Sequence, residues 1–350
     1  MNKYTQRLEK IEVVLNKNLP ELFDKALEER LFLKLPEAVT AEHIKPLLEP
    51  CRELLLLGGK RWRPLLLVLC AELFADVSSA EMQAAYESVP LVEFVHTASL
   101  IHDDIEDSAD MRRGKPAAHL TYGLDTALNA GSWLYFTAFA AIEGLTISDS
   151  LKLELYRTVS AELRRLHLGQ AMDIAWHRNN DYIPTRNEYE AMVRCKTGTL
   201  ACLAAKTGSL IAGASAAQSE TLGATAADIG VGFQVLDDVI NLSTGNPGKK
   251  RGDDIVEGKK SLPVIFHLEE HPEDLQKIKN CFTEARKGGI DSPAVESCIK
   301  LLTESGAVSK AKLYSAELIE KSISSIEKAY AGKEAAALIA ELFRSMVKKN

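Results

Sequence analysis

Apolar residues recur three and four positions apart along most of this chain, the spacing that puts them on one face of an α-helix. Strict alternation of apolar and polar residues is nearly absent, and no Asn-Gly or Asp-Gly pair marks a hairpin. The pattern predicts helices over about 85–104, 124–144, 149–176, 186–214 and 217–243, then shorter ones to a last helix near 332–348. Ser78-x-x-Glu81 and Thr185-x-x-Glu188 read as capping boxes, with a loop at Pro184 and the polar stretch HRNNDY before the second. The predicted fold class is all-α, with residues 1–350 forming a single domain.

Composition adjusts this picture only slightly. A chain of 350 residues, 46% of them apolar, can bury a large core in one domain or two. The formal charge of −7 argues against a nucleic-acid surface, which needs a concentrated positive field, so an anionic substrate must be captured locally. No apolar run reaches the roughly 18 to 20 residues that cross a bilayer, and the opening MNKYTQRLEKIEVVLNK is amphipathic rather than signal-like, so a cytoplasmic protein is expected. Cys51, Cys70, Cys195, Cys202, Cys281 and Cys298 lie far apart without ligand spacing and read as buried thiols. The polar, glycine-rich stretch STGNPGKKRGDDIVEGKK at 243–260 interrupts the helices beside an acidic cluster and reads as a ligand-covering loop.

The acidic clusters carry the chemistry. LVEFVHTASLIHDDIEDSADMRRGKP begins as an apolar helix and ends in Asp103, Asp104, Glu106, Asp107 and Asp110. Asp103 and Asp107 are one helical turn apart and face the same way, with Asp104 beside them. Carboxylates crowded at the end of a core helix repel one another unless cations neutralise them. Asp237, Asp238 and Asn241 repeat the spacing at the end of ADIGVGFQVLDDVINL. Oxygen donors without His or Cys suit Mg²⁺, and two such clusters facing one another could hold several ions against a phosphorylated substrate.

Basic residues gather beside glycines and beside the acidic motifs. Lys60, Arg61 and Arg63 follow Gly58 and Gly59; Arg112 and Arg113 come about two helical turns after the first cluster; Lys196 and Thr197 lie in a predicted helix; Lys249 and Lys259 flank Asp254. Arginine suits bidentate phosphate binding, and lysine acts as a mobile point charge.

With these motifs in place, the chain resembles the polyprenyl synthetase family of trans-isoprenyl diphosphate synthases. The matching segments are GGKRWRP at 58–64, HTASLIHDDIEDSADMRRGKPAAH at 96–119, GQAMD at 169–173, KTGTL at 196–200, FQVLDDVIN at 233–241 and GKKRGDDIVEGKKSLP at 248–263. The resemblance implies the isoprenoid synthase fold, a bundle of long helices around a central cavity, and a homodimer. It implies that Asp103, Asp107 and Asp237 bind magnesium shared with an allylic diphosphate, supported by Asp104 and Asp238 directly or through water. Arg112, Lys196 and Lys259 would grip that diphosphate. Lys60, Arg61, His96 and Arg113 match a pocket for isopentenyl diphosphate, Gln234 and Thr197 line the reacting centre, and Lys249 closes over it. Asn241 departs from the commonest pattern, which has a third aspartate; weakened rather than lost metal binding is expected.

Two rival readings share part of this constellation. A terpene cyclase would use similar aspartates but no second diphosphate pocket, and a non-catalytic subunit of a heteromeric synthase would show eroded metal motifs. On product length, Ala98 and Ser99 lie one turn upstream of the first cluster and are small, where farnesyl-making relatives carry an aromatic residue. A geranylgeranyl or longer product is therefore expected, with Val95, Leu91 or the stripe Trp133, Tyr135, Phe136 and Phe139 as later obstructions.

Overall fold

The computed structural model describes residues 3–245 and 250–348. Among these residues the chain is all-α except for one pair of two-residue strands. It divides into two compact units, the first comprising residues 1–161, 203–223 and 332–339 and the second 162–202, 224–331 and 340–350.

In the first unit the helix Trp62–Glu72 is apolar on every side from Pro64 to Ala71, and its residues Leu65 to Ala71 are almost fully buried, as expected of a helix at the centre of a core. Gly208 lets a neighbouring helix lie directly on it, because a Cβ there would strike the Leu67 carbonyl and come within 3.2 Å of the Ala71 nitrogen. The helix Pro90–Glu106 packs along Leu124–Glu143, whose Gly131 accommodates the His102 ring. In the second unit one apolar cluster joins Tyr189, Val193, Val235, Val239, Leu262 and Phe266, and another joins Ile255, Val264, Ile278, Phe282, Cys298 and Ile299.

Predicted helices at 124–144, 149–176, 217–243 and 332–348 appear as Leu124–Glu143, Asp149–Arg178, Ala216–Ser243 and Glu334–Lys348. The segment predicted at 85–104 is instead two helices, Ala80–Glu87 and Pro90–Glu106. Pro90 has no N–H to continue the first helix, but its fixed φ suits the start of the second. The first of these is capped by Ser79, which accepts from the Met82 N–H at 3.3 Å, and not by Ser78. A turn closed from Ser79 N–H to the Asp76 carbonyl, 2.9 Å, leaves Ser78 outside the cap. The Thr185–Glu188 box forms with reciprocal bonds, although His177 and Arg178 of the supposed loop belong to the preceding helix.

Two departures affect the site. The span predicted as one helix at 186–214 contains a π-helical turn, Arg194–Gly198, between Arg186–Val193 and Thr199–Ile211. The helix bearing the first acidic cluster ends at Glu106, so Arg112 and Arg113 do not continue it. They sit in a hairpin pairing Met111 with Pro116 and Arg112 with Lys115, turned by Arg113 and Gly114 at φ 52° and 79°.

Candidate active site

In the first unit, Asp103, Asp104 and Asp107 occupy the last turn of Pro90–Glu106 and its cap, where the Asp107 N–H donates to the Asp103 carbonyl at 2.8 Å. Asp104 turns inward and is 1% exposed. Its Oδ1 accepts from Arg112 Nε at 2.8 Å and also from Nη2, while its buried Oδ2 has no hydrogen-bond partner. Burial raises the Asp104 pKa, and the Arg112 guanidinium opposes that shift.

Two turns back along the same helix lies a basic pocket of about 240 Å³, lined by Gly59, Lys60, Arg61, Trp62, Arg63, Glu93, His96 and Arg113. The two arginines of GGKRWRP behave differently in it. Arg61, 6% exposed, donates to Glu12 at 2.7 Å, to Glu93 at 2.6 Å and to the Leu55 carbonyl at 2.6 Å, so its fork is taken up by the protein. Arg63 lies over the Trp62 ring at 4.4 Å, approaches His96 Nε2 at 3.3 Å and buries an Nε with no partner. Burial brings the Arg63 pKa down to about 10. Arg113 lies across Gly59 and donates to the Gly58 carbonyl; a Cβ on Gly59 would come within 3.1 Å of its guanidinium. Burial, then Arg63, Arg113, Arg112 and Arg61, hold the His96 pKa well below the usual histidine range, so the ring is neutral and can donate without adding charge. Such a concentration of guanidinium groups is stabilised by a multiply charged anion.

In the second unit a smaller cleft, about 50 Å³, is lined by residues that include Asp173, Lys196, Thr197, Gln234, Asp237, Asp254 and Lys259. Lys196 donates to Asp173 at 2.6 Å. Burial pushes the Asp173 pKa up, but Lys196 and Lys259 outweigh it and keep the carboxyl low. Lys259 pairs with Glu257 and lies 3.7 Å from Asp254. Asp237 is exposed, whereas its neighbour Asp238 is buried with both oxygens engaged: Oδ2 accepts from Tyr189 at 2.6 Å and from the Leu262 N–H at 3.1 Å, and Oδ1 from Gln234 at 3.2 Å. Thr197 donates to the Gln234 carbonyl oxygen at 2.9 Å. Asn241, 2% exposed, accepts the Asp254 N–H at 3.3 Å and so anchors the short helix Asp253–Glu257. Lys249 lies outside the described residues.

The structure therefore separates Asp103, Asp107 and Asp237, whose carboxylates are at least partly accessible, from Asp104, Asp238 and Asn241, which are buried and bonded to the protein. It also shows functional candidates that sequence reasoning did not single out. These are Asp173 and Asp254, in the matching segments GQAMD and GKKRGDD; Arg63, already named in the basic run, lines the pocket together with Arg61, but the Arg61 fork is taken up by Glu12 and Glu93. Among the described residues no three His, Cys, Asp or Glu side chains form a ready-made metal site. The partly accessible carboxylates of Asp103, Asp107 and Asp237 suit Mg²⁺, which keeps several waters and commonly binds through one or two carboxylates plus substrate phosphates. The unpartnered buried oxygen of Asp104 and the oxygen-only donor set point the same way.

Beside the acidic helix end, Ala98 is fully buried and Ser99 partly open, its hydroxyl returned to the His96 carbonyl at 2.8 Å. Of the aromatic stripe, Trp133 stacks on Phe32 at 6.1 Å, Phe139 stacks on Tyr156 at 5.9 Å and Phe136 is exposed. Tyr135 packs against the acidic helix, with its ring 5.4 Å from that of His102.

The polyprenyl synthetase family model matches residues 44–302. The chain is 33% identical to the geranylgeranyl pyrophosphate synthase of Geoglobus acetivorans over 84% of its own length and 88% of that protein. It is 29% identical to the geranylfarnesyl diphosphate synthase of Natronomonas pharaonis over 85% of its length and 86% of that protein. The crystal structure of geranylgeranyl pyrophosphate synthetase from Pyrococcus horikoshii superposes with a TM-score of 0.80 at 27% identity, covering 99% of this chain and 96% of the other. The chain belongs to the polyprenyl synthetase family, and with it to the trans-isoprenyl diphosphate synthases.

Proposed function

We propose that the enzyme condenses isopentenyl diphosphate with an allylic diphosphate, in the presence of Mg²⁺, to give a trans-polyprenyl diphosphate of geranylgeranyl length or longer. The observation that carries this is on one helix. His96, in the basic pocket, and Asp103, in the acidic cluster, are seven residues apart on Pro90–Glu106, which is about 10 Å along the axis and on the same side. A second anion pocket so close to a cation-binding helix end serves an enzyme that holds two diphosphates; a cyclase has no use for it.

In this reading Asp103, Asp107 and Asp237 hold magnesium, with Asp104 and Asp238 behind them and Asn241 securing the Asp253–Glu257 helix. Bound magnesium supplies charge neutralisation at the departing diphosphate. Arg112, Lys196 and Lys259 stabilise the charge accumulating on that group as the allylic C–O bond ionises. Lys60, Arg63, His96 and Arg113 hold isopentenyl diphosphate so that its double bond attacks the allylic cation; Arg61 secures that pocket from behind. The proton lost in this step passes to the released pyrophosphate.

Small residues at Ala98 and Ser99 support a product beyond C15, in keeping with the named products of the relatives. Several further assignments belong to the same proposal. Residues 1–350 act as one domain, which the family match across segments of both units supports. The enzyme is a homodimer, supported by Leu124, Leu128 and Phe136 exposed at four- and eight-residue spacing on one helix. It is cytoplasmic; no helix among the described residues is long and apolar enough to cross a membrane. Incubation with Mg²⁺, isopentenyl diphosphate and, separately, dimethylallyl, geranyl and farnesyl diphosphates, read by mass spectrometry, tests the assignment. Diphosphates of C20 or longer are expected. A hydrocarbon product would indicate a cyclase, and no turnover with any primer would indicate a non-catalytic subunit.

A further inference from the structure

We propose that Tyr189 is a positioning residue for prenyl transfer: through Asp238 it fixes the orientation of the Gln234 amide at the cleft. This rests on the function proposed above.

The residues form one hydrogen-bonded chain within the second unit. Tyr189, 2% exposed on Arg186–Val193, donates to Asp238 Oδ2 at 2.6 Å. The same oxygen accepts the Leu262 N–H at 3.1 Å, Asp238 Oδ1 accepts Gln234 Nε2 at 3.2 Å, and Gln234 Oε1 accepts Thr197 Oγ1 at 2.9 Å. The Leu262 N–H can only donate, and with the phenol it takes up Oδ2, so the ionised Asp238 carboxylate has Oδ1 left to accept from the amide. The end of Gln234 that faces Asp238 is therefore its NH₂, and its carbonyl oxygen is turned towards Thr197, another residue lining the cleft.

The two ends of an amide carry opposite partial charges, so this orientation has a chemical consequence. A fixed carbonyl oxygen stabilises an allylic cation beside it, whereas the NH₂ in its place would oppose ionisation. Fixed dipoles act without reorganising during the reaction, which requires the Asp238 carboxylate itself to be immobile. Tyr189 supplies that anchor from a different helix. Asp238 thus differs in task from Asp237, one residue earlier, which is exposed at the same cleft.

The test uses the full chain with Mg²⁺, isopentenyl diphosphate and its best primer. Tyr189→Phe is expected to lower kcat about tenfold, leaving KM for both diphosphates and the magnesium concentration for half-activity within about twofold of wild type. Gln234→Leu and the double variant Tyr189→Phe/Gln234→Leu are expected to have equal kcat, since the phenol acts through that amide. A purely structural tyrosine would instead lower the activity of Gln234→Leu by the same factor as that of the wild type. Multiplying losses, or a raised magnesium requirement in Tyr189→Phe, overturn the proposal. Absence of elongation by the wild type removes the function reading and this inference with it; elongation by the wild type with an unchanged rate in Tyr189→Phe removes this inference alone.

Discussion

Replacing Gly169 with alanine should damage the enzyme although alanine is the better helix former. In an exposed helix interior the change would stabilise by about 1 kcal/mol. Here a Cβ would lie 2.8 Å from both the Cys195 carbonyl carbon and the Met192 carbonyl oxygen, and closer still to the Lys196 nitrogen. Ordinary contact needs at least ~3.4 Å, so the π-helical turn must retreat by about 0.6 to 1 Å. That turn carries Lys196 and Thr197, whose bonds to Asp173 and Gln234 are 2.6 and 2.9 Å long. A shift of that size takes the first to the limit of good hydrogen-bond length or past it, and the second well past it. Misplacement of catalytic groups by 1 Å can cost about 10²-fold in rate, or roughly 2.7 kcal/mol of transition-state stabilisation, and overpacking costs a further ~1–3 kcal/mol of stability. Incorporation of labelled isopentenyl diphosphate at saturating primer, with thermal unfolding followed by circular dichroism, reads both effects. A Gly169→Ala enzyme with wild-type kcat and an equal or higher Tm would refute the argument.

Other consequences separate residues that look alike. Arg61→Ala leaves Glu93 buried without its ion-pair partner and should cost about 3–5 kcal/mol of stability, seen in denaturant unfolding; Arg63→Ala should leave stability nearly intact and raise KM for isopentenyl diphosphate about tenfold or more. Equal stability losses would contradict the distinction. Because the folded pocket holds the His96 pKa below its unfolded value of about 6.5, the unfolded chain takes up a proton as pH falls through that value and the folded chain does not. Stability is therefore complete above it and declines below, and His96→Gln should flatten that part of the profile in melts from pH 8 to about 5.5. Ser99→Phe, on the partly open face upstream of Asp103, should shorten the product, and an unchanged chain length in mass spectrometry would move the obstruction elsewhere, with Tyr135 next to be tested.

The long helices and the acidic helix end at Asp103 and Asp107 were legible because periodicity and the abrupt change from apolar to charged residues are local signals. Features that depend on what lies opposite were not. Asp237 and Asp238 are adjacent in sequence, but about 100° apart around the helix, so one is open and the other meets Tyr189 and Leu262. Arg61 and Arg63 share a motif, and only packing shows that Arg61 is occupied by Glu12 and Glu93 while Arg63 faces the pocket. The hairpin at Arg113 and Gly114 lacks the usual turn pair, and its non-glycine residue at positive φ is held by bonds to Gly58 and Leu54. The π-helical turn leaves no periodic signature, because a single extra residue per turn is absorbed within a continuous helix.

Transfer with two diphosphates bound ties pyrophosphate release to isopentenyl incorporation, and both can be measured in the same reaction, with Mg²⁺ present and after chelation. One pyrophosphate is expected for each isopentenyl unit added, with no release without isopentenyl diphosphate and loss of both on chelation. Pyrophosphate released from the allylic substrate alone, at a rate indifferent to isopentenyl diphosphate, would contradict this coupling.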